Sequence, residues 1–262
     1  MRIARCLGAA LCGVALVVGW QGLAEAYHDS AVHLELRVWF PRLDAEVQSS
    51  RDGVPGDVIT ESDLGLDDPV VPGGAATVRL GRRHTIRFEG FAVSTEGDTR
   101  VDRTVAFGGR TYPVNSRVLS DFDARVFAGD YGFDVVHTGP IALGLTLGAR
   151  LVDFDARLRA PDRGFESEVS VTAVVPAVGA VLIAHPVPVG PFASLAVILR
   201  LSGLSIGKRG EFFDFEAGVE WLPLPFLSVR VGYRLVHGRG EEDDDRAKFD
   251  VSGPYAGVTL AF

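Results

Sequence analysis

The chain has 262 residues, with 26 Lys plus Arg against 34 Asp plus Glu and a formal charge of −8, so it offers no basic stripe to nucleic acid. Hydrophobic residues make up 47% and charged residues 23%, which excludes collagen-like, low-complexity and disordered chains. Two cysteines leave no room for a cysteine-rich scaffold, a multi-cysteine zinc site or an iron–sulfur cluster.

Residues 1–26 read as an export signal. Arg2 and Arg5 form a positive n-region, Leu7 to Trp20 form an apolar stretch, and Ala24-Glu25-Ala26 matches a small-x-small cleavage site. A retained anchor is the weaker reading, because the apolar stretch would span only about 21 Å of a roughly 30 Å hydrocarbon core. Cys6 and Cys12 both lie in this segment, preceded by Arg5 and Leu11 rather than by the small residues of a lipoprotein signal. The remaining chain, 27–262, is then free of thiols, as suits an oxidising compartment.

Beyond the signal the sequence alternates with period two. Val32, Leu34, Leu36, Val38 and Phe40 share one face, and His33, Glu35, Arg37 and Trp39 the other. The same pattern sets Ile141, Leu143, Leu145 and Leu147 against Gly144, Thr146, Gly148 and Arg150, and Phe213, Phe215, Ala217, Val219 and Trp221 against Asp214, Glu216, Gly218 and Glu220. Leu227 to Leu235 alternates with Ser228, Arg230, Gly232 and Arg234. The last run sets Ala256, Val258, Leu260 and Phe262 against Tyr255, Gly257, Thr259 and Ala261. Strands are expected at 31–40, 75–81, 84–95, 117–136, 141–159, 168–184, 191–206, 211–222, 226–237 and 248–262. That makes ten, or eight if one hairpin lies outside the membrane. Many exceed the roughly 5–6 residues usual in soluble sheets.

A soluble β-sandwich alternates too, so the class rests on three further features. Tight turns at Gly81–His84, His137–Pro140, His185–Gly190 and Leu222–Pro225 alternate with longer or more charged connections at 41–74, 96–115, 160–167, 206–210 and 238–247, as short periplasmic turns alternate with outer loops. Arg, Asp and Glu recur on the polar faces, which a dry sandwich core would not tolerate. The export signal precedes a chain in which a closed barrel is the means of crossing lipid with every backbone group bonded. One stretch, Val169–Leu199, carries no Asp, Glu, Lys or Arg over 31 residues and is long enough for a membrane helix. Its Val content and Pro176, Pro186, Pro188 and Pro191 instead indicate two strands joined by a proline-rich turn at 185–191.

The ending Tyr255-Ala256-Gly257-Val258-Thr259-Leu260-Ala261-Phe262 resembles the C-terminal assembly signal of Gram-negative outer-membrane barrels, with Tyr255, Gly257, Leu260 and Phe262 in its four defining places. In kind the resemblance extends over 27–262 to the small OmpA-like class of barrels. It implies an all-β, closed antiparallel transmembrane β-barrel in the cell outer membrane, inserted by the outer-membrane assembly machinery, with lipid and lipopolysaccharide around it.

Charges predicted to face the lumen are Glu35, Arg37, Arg79, Arg87, Glu89, Asp130, Asp134, Arg150, Arg200, Asp214, Glu216, Glu220, Arg230 and Arg234. Carboxylates and guanidinium groups balance, and a barrel of eight to ten strands has an interior that side chains fill, so a solid polar core is the plainer reading than a conduit. Within one hairpin, Asp214, Glu216 and Glu220 are expected to interlock with Arg230 and Arg234. The connection 41–74 holds eight carboxylates against two arginines, and 238–247 five against two. Their spacing matches no EF-hand, so solvated acidic loops are expected, with Asp243, Asp244 and Asp245 as the weak metal candidates. Of the histidines, only His237 falls at the outer rim, without a well-spaced serine to activate. Gly73-Gly74 and Gly108-Gly109 lack the helix and Lys-Ser/Thr of a phosphate loop and read as turns. The expected function is a non-enzymatic barrel with acidic outer loops in a structural or surface-interaction role, without a cofactor. Two alternatives stand beside it: a narrow channel for small solutes, and a surface hydrolase at His237.

Overall fold

The computed structural model describes residues 30–48, 58–60, 65–107, 110–138, 140–185, 188–189, 193–205, 210–242 and 245–262. The strands are β1 (Val32–Trp39), β2 (Arg42–Gln48), β3 (Val58–Thr60), β4 (Val71–Leu80), β5 (His84–Arg100), β6 (Val105–Phe107), β7 (Arg110–Tyr112) and β8 (Arg117–His137). They continue with β9 (Ile141–Ala160), β10 (Phe165–Ala184), β11 (Pro188–Val189), β12 (Ala193–Ser205), β13 (Gly210–Leu224), β14 (Leu227–Glu242) and β15 (Asp245–Ala261). The export segment at 1–26 and the Gly108-Gly109 pair lie outside the described residues.

Ten of these strands make a closed antiparallel barrel in the order β1-β4-β5-β8-β9-β10-β12-β13-β14-β15, and β15 pairs back onto β1. The seam runs from His33 opposite Ala261 to Trp39 opposite Tyr255. Closure leaves no spanning edge unpaired, which is what a lipid interior demands. Both ends of the barrel chain lie on the side of the short turns, which is the periplasmic side in barrels of even strand number.

Periodicity sets the two faces as the sequence predicts. Leu36 is 76% exposed and Val174 68% exposed, and Phe88, Phe127, Leu147, Trp221, Val231 and Val258 are exposed in the same outward belt. A patch of that extent is untenable in water and required in hydrocarbon. On the inward face Glu35, Arg37, Arg150, Glu216, Glu220, Arg230 and Arg234 are buried. The uncharged stretch forms the two strands β10 and β12. Pro176 sits in β10 just beyond the β12 ladder, which begins at Val178 opposite Gly203, so one neighbour at most feels its missing N–H.

Several predicted boundaries are corrected. Gly73 and Gly74 are not a turn: both lie inside β4, where a Cβ on either would come within 3.0 Å of a neighbouring carbonyl oxygen, and β4 therefore starts at Val71 rather than near 75. The connection after β1 is not simply a loop, because β2 pairs with the upper part of β15 and β3 pairs with β2. Residues 238–247 are largely zipped into β14 and β15, with Glu241 opposite Arg246. Similarly β5 runs to Arg100 and β10 starts at Phe165. Charged residues read as loop signals, but above the bilayer they sit on outward strand positions bathed in water. The long strands β5, β8, β9 and β10 thus rise as a wall past the membrane belt.

Candidate functional site

Alternation on β1 aims Glu35 and Arg37 into the lumen two residues apart, and the hairpin β13–β14, separated from β1 by β15, aims Asp214, Glu216, Glu220, Arg230 and Arg234 into it. Glu35 Oε1 accepts from Arg37 at 3.0 and 2.6 Å. Its Oε2 accepts from Arg87 at 3.3 Å and from Arg230 at 3.2 Å. Arg37 then reaches across the barrel to Glu216 Oε2 at 2.9 Å. A second crossing runs from Arg234 to Glu89 at 2.6 Å, while Arg234 also grips Asp214 through Nε at 3.1 Å and Nη2 at 2.7 Å. Glu220 accepts from Arg230 at 3.0 Å and from Ser228 at 2.7 Å. Nearer the periplasmic end, Asp130 accepts from Arg150 at 2.6 Å, and Arg79 donates to Asp134 at 3.3 Å. Each carboxylate has more than one donor or a close cationic partner, the condition under which buried charge is tolerated.

The expected pairing within the β13–β14 hairpin forms: Asp214 meets Arg234, Glu220 meets Arg230, and Glu216 lies 3.8 Å from Arg230. Although opposite Arg234 in register, Glu216 makes its shorter bond, at 2.9 Å, to Arg37. Tyr255 explains the choice, because its hydroxyl donates to Glu216 Oε1 at 2.9 Å and Arg37 lies 4.7 Å from its ring centre. That ring occupies a slot left by two glycines: a Cβ on Gly218 would stand 2.4 Å from the Tyr255 hydroxyl, and one on Gly232 2.7 Å from it. Of the four positions of the assembly-signal resemblance, Tyr255 thus points into the lumen, Gly257 lies opposite Arg37 and Arg230, and Leu260 and Phe262 face outward and are exposed.

Above the ionic layer the interior turns apolar, a change that the sequence reading missed. Trp39 stacks edge-on to Phe91 at 6.1 Å and joins Val71, Val236 and Tyr255 in one buried cluster. The indole Nε1 donates to the Gly253 carbonyl at 3.1 Å. Arg234 faces both rings, 5.5 Å from Trp39 and 4.9 Å from Phe91. Trp39 follows Arg37 at the next inward position, and that spacing was the available signal. Higher still, Tyr112 folds in from the β5–β8 connection, 1% exposed, with Val101, Val118, Leu158 and Ala160 around it. Its hydroxyl donates to Ser167 Oγ at 3.0 Å.

Amid the ionic network lies a cavity of about 150 Å³. Glu35, Glu216, Glu220, Arg230 and Arg234 line it, and it extends to Arg79, Thr85 and Asp134 near the periplasmic turns. Arg150 and Arg200 face it too.

His237 is elsewhere. It is on the outward face of β14, at the first charged position above the apolar run Val229, Val231, Tyr233 and Leu235. Nδ1 lies 2.6 Å from Asp250 and Nε2 3.4 Å from Glu211. The hydrogen bond to Asp250 raises its pKa above the ordinary 6.5, since a carboxylate partner favours the imidazolium. Each ring nitrogen thus faces a carboxylate. Asp243 and Asp244 lie outside the described residues, and Asp245 opens β15 opposite Glu242. Among the described residues no group of three or more His, Asp or Glu is placed to hold a metal ion.

No protein-family model matches the chain, and no curated protein matches it. Solved structures do. The outer membrane protease OmpT of Escherichia coli superimposes with a TM-score of 0.58 at 10% identity, over 88% of this chain and 97% of that one. The β domain of the Bordetella autotransporter BrkA gives a TM-score of 0.51 at 14% identity, over 89% of this chain and 100% of that one. At such identities the likeness is one of fold: a closed ten-stranded antiparallel barrel of the outer-membrane kind.

Proposed function

We infer that this outer-membrane barrel is a sealed, non-enzymatic envelope protein with a structural or surface-interaction role, rather than a conduit. The observation that carries the reading is the pair of cross-lumen bridges, Arg37 to Glu216 at 2.9 Å and Arg234 to Glu89 at 2.6 Å, with the Trp39–Phe91 layer directly above them. Ions of both signs meet a paired opposite charge and then an apolar barrier, so neither has a path along the axis. The parts left to meet a partner are the acidic outer connections and the charged outward wall of β8, β9 and β10. Lipopolysaccharide bridged by divalent cations is the surface partner such acidity favours, and the assembly machinery would read the last strand during insertion.

The protease likeness adds nothing to this reading beyond the fold, since His237 lies on the outward wall with both ring nitrogens facing carboxylates. The test is conductance in planar bilayers. Purified barrel is expected to give no discrete steps at neutral pH and physiological salt, and regular, reproducible steps would overturn the sealed reading in favour of a narrow channel.

A further inference from the structure

Arg200 differs from the other lumen arginines. It points inward from β12, and its partner in register across the β12–β13 ladder is Glu216, the position from which an opposite charge ordinarily answers. Glu216 is committed elsewhere, one oxygen to Arg37 and the other to Tyr255. The remaining carboxylates nearby are engaged as well: Glu35 with three arginines, Glu89 and Asp214 with Arg234, and Asp130 with Arg150. Among the described residues Arg200 is in no ion pair, and its Nε is buried without a hydrogen-bond partner. Arg87 and Arg230 act on it repulsively, while Glu216 and Glu35 attract it only from beyond ion-pair range.

Arg200 is half-buried, and a guanidinium whose Nε is buried without a partner is favoured by a counter-charge. Arg200 faces the 150 Å³ cavity, which the paired carboxylates and arginines of the lumen also line, together with the hydroxyls of Thr77, Thr85, Thr146, Ser202 and Thr259. That volume is well above the roughly 10–15 Å³ that admits a single water. A planar guanidinium fork matches two oxygens of one anion, and matches a spherical halide poorly.

We propose that the periplasm-facing cavity is a binding site for a small oxyanion, of the phosphate, sulfate or short carboxylate class, with Arg200 as its principal ligand. The anion supplies the charge that Glu216 withholds, and it enters from the periplasmic end because the ionic and aromatic layers close the other. The site does not require the barrel to be sealed, so conductance and anion binding test separate statements.

The experiment follows the unfolding midpoint of the detergent-folded barrel during titration with sodium phosphate and sodium sulfate, against sodium chloride at matched ionic strength. The wild type is expected to show a saturable oxyanion response, with the folded-to-unfolded ratio rising about 100-fold at a hundredfold excess over Kd. Arg200→Gln should abolish that response, and in anion-free buffer it should be at least as stable as the wild type, because it removes an uncompensated charge. Arg200→Lys, which keeps the charge but not the fork, should bind more weakly and serves as the readout if the glutamine variant fails to fold. An equal response in the wild type and the Arg200 variants, or no saturable response of the wild type to either oxyanion, would overturn the proposal.

Discussion

The two halves of the barrel interior fill similar space with opposite chemistry. Below Tyr255, charges on β1, β5, β13 and β14 bind across the lumen in pairs and triples. Above it, Trp39, Phe91 and Val71 pack as an ordinary apolar core, and Tyr112 closes the top with Val101 and Leu158. The difference teaches how each half is specified. The apolar half tolerates any side chain of suitable volume. In the ionic half the identity of the partner matters more than its size, because removing one charge strands another in a low-dielectric interior.

Conservative replacements sharpen that contrast. Glu216→Gln keeps the shape but leaves Arg37 without its cross-lumen charge, and it is expected to cost about 3–5 kcal/mol. Trp39→Phe, a larger change in volume, removes the hydrogen bond to Gly253 and some packing and is expected to cost only about 1–2 kcal/mol. Urea unfolding of both variants in lipid vesicles measures the two values. Equal costs would erase the distinction between the halves.

A smaller effect marks the boundary between buried and exposed charge. His237 is held by Asp250 on the outward face, and its pKa is raised in the folded barrel. The protonated form is therefore stabilised by folding: the contribution is complete below the ordinary value near 6.5 and is lost as pH rises through the higher folded value. The midpoint of heat-induced unfolding should accordingly drop modestly between about pH 6 and 8. His237→Gln should flatten the drop, and 1 M salt should weaken it while leaving the lumen network almost untouched. An unchanged pH profile in the glutamine variant would remove His237 from the account.

Much of the barrel was legible in the sequence because a period of two is a local property. Each strand states its inward and outward faces without reference to its neighbours, and the closing aromatic Phe262 marks the last of them. Strand ends were less legible. Glu96 and Asp98 look like loop residues, yet they are exposed strand positions of β5, and such positions above the bilayer are as wet as a loop. The lumen charges could be named from alternation alone, but their partners could not. Arg37 and Glu216 are 179 residues apart and meet only because the sheet closes. The sequence proximity of Glu216 to Arg230 indicated a hairpin pair, which forms at 3.8 Å, but the shorter bond to Arg37 beside Tyr255 could not be read from it. Arg200 looked like one more balanced charge, yet Glu216, its register partner, is taken up by Arg37, Arg230 and Tyr255.

The central claim is that the lumen is blocked midway and reachable from the periplasmic end alone. The two cysteines of the sequence, Cys6 and Cys12, both precede the barrel, so a single Thr146→Cys substitution places a thiol in the cavity on an otherwise thiol-free barrel. In proteoliposomes of known orientation, a small membrane-impermeant thiosulfonate is expected to modify that cysteine when added on the periplasmic side and to leave it unmodified when added on the outer side. Modification at equal rates from both sides would contradict the block.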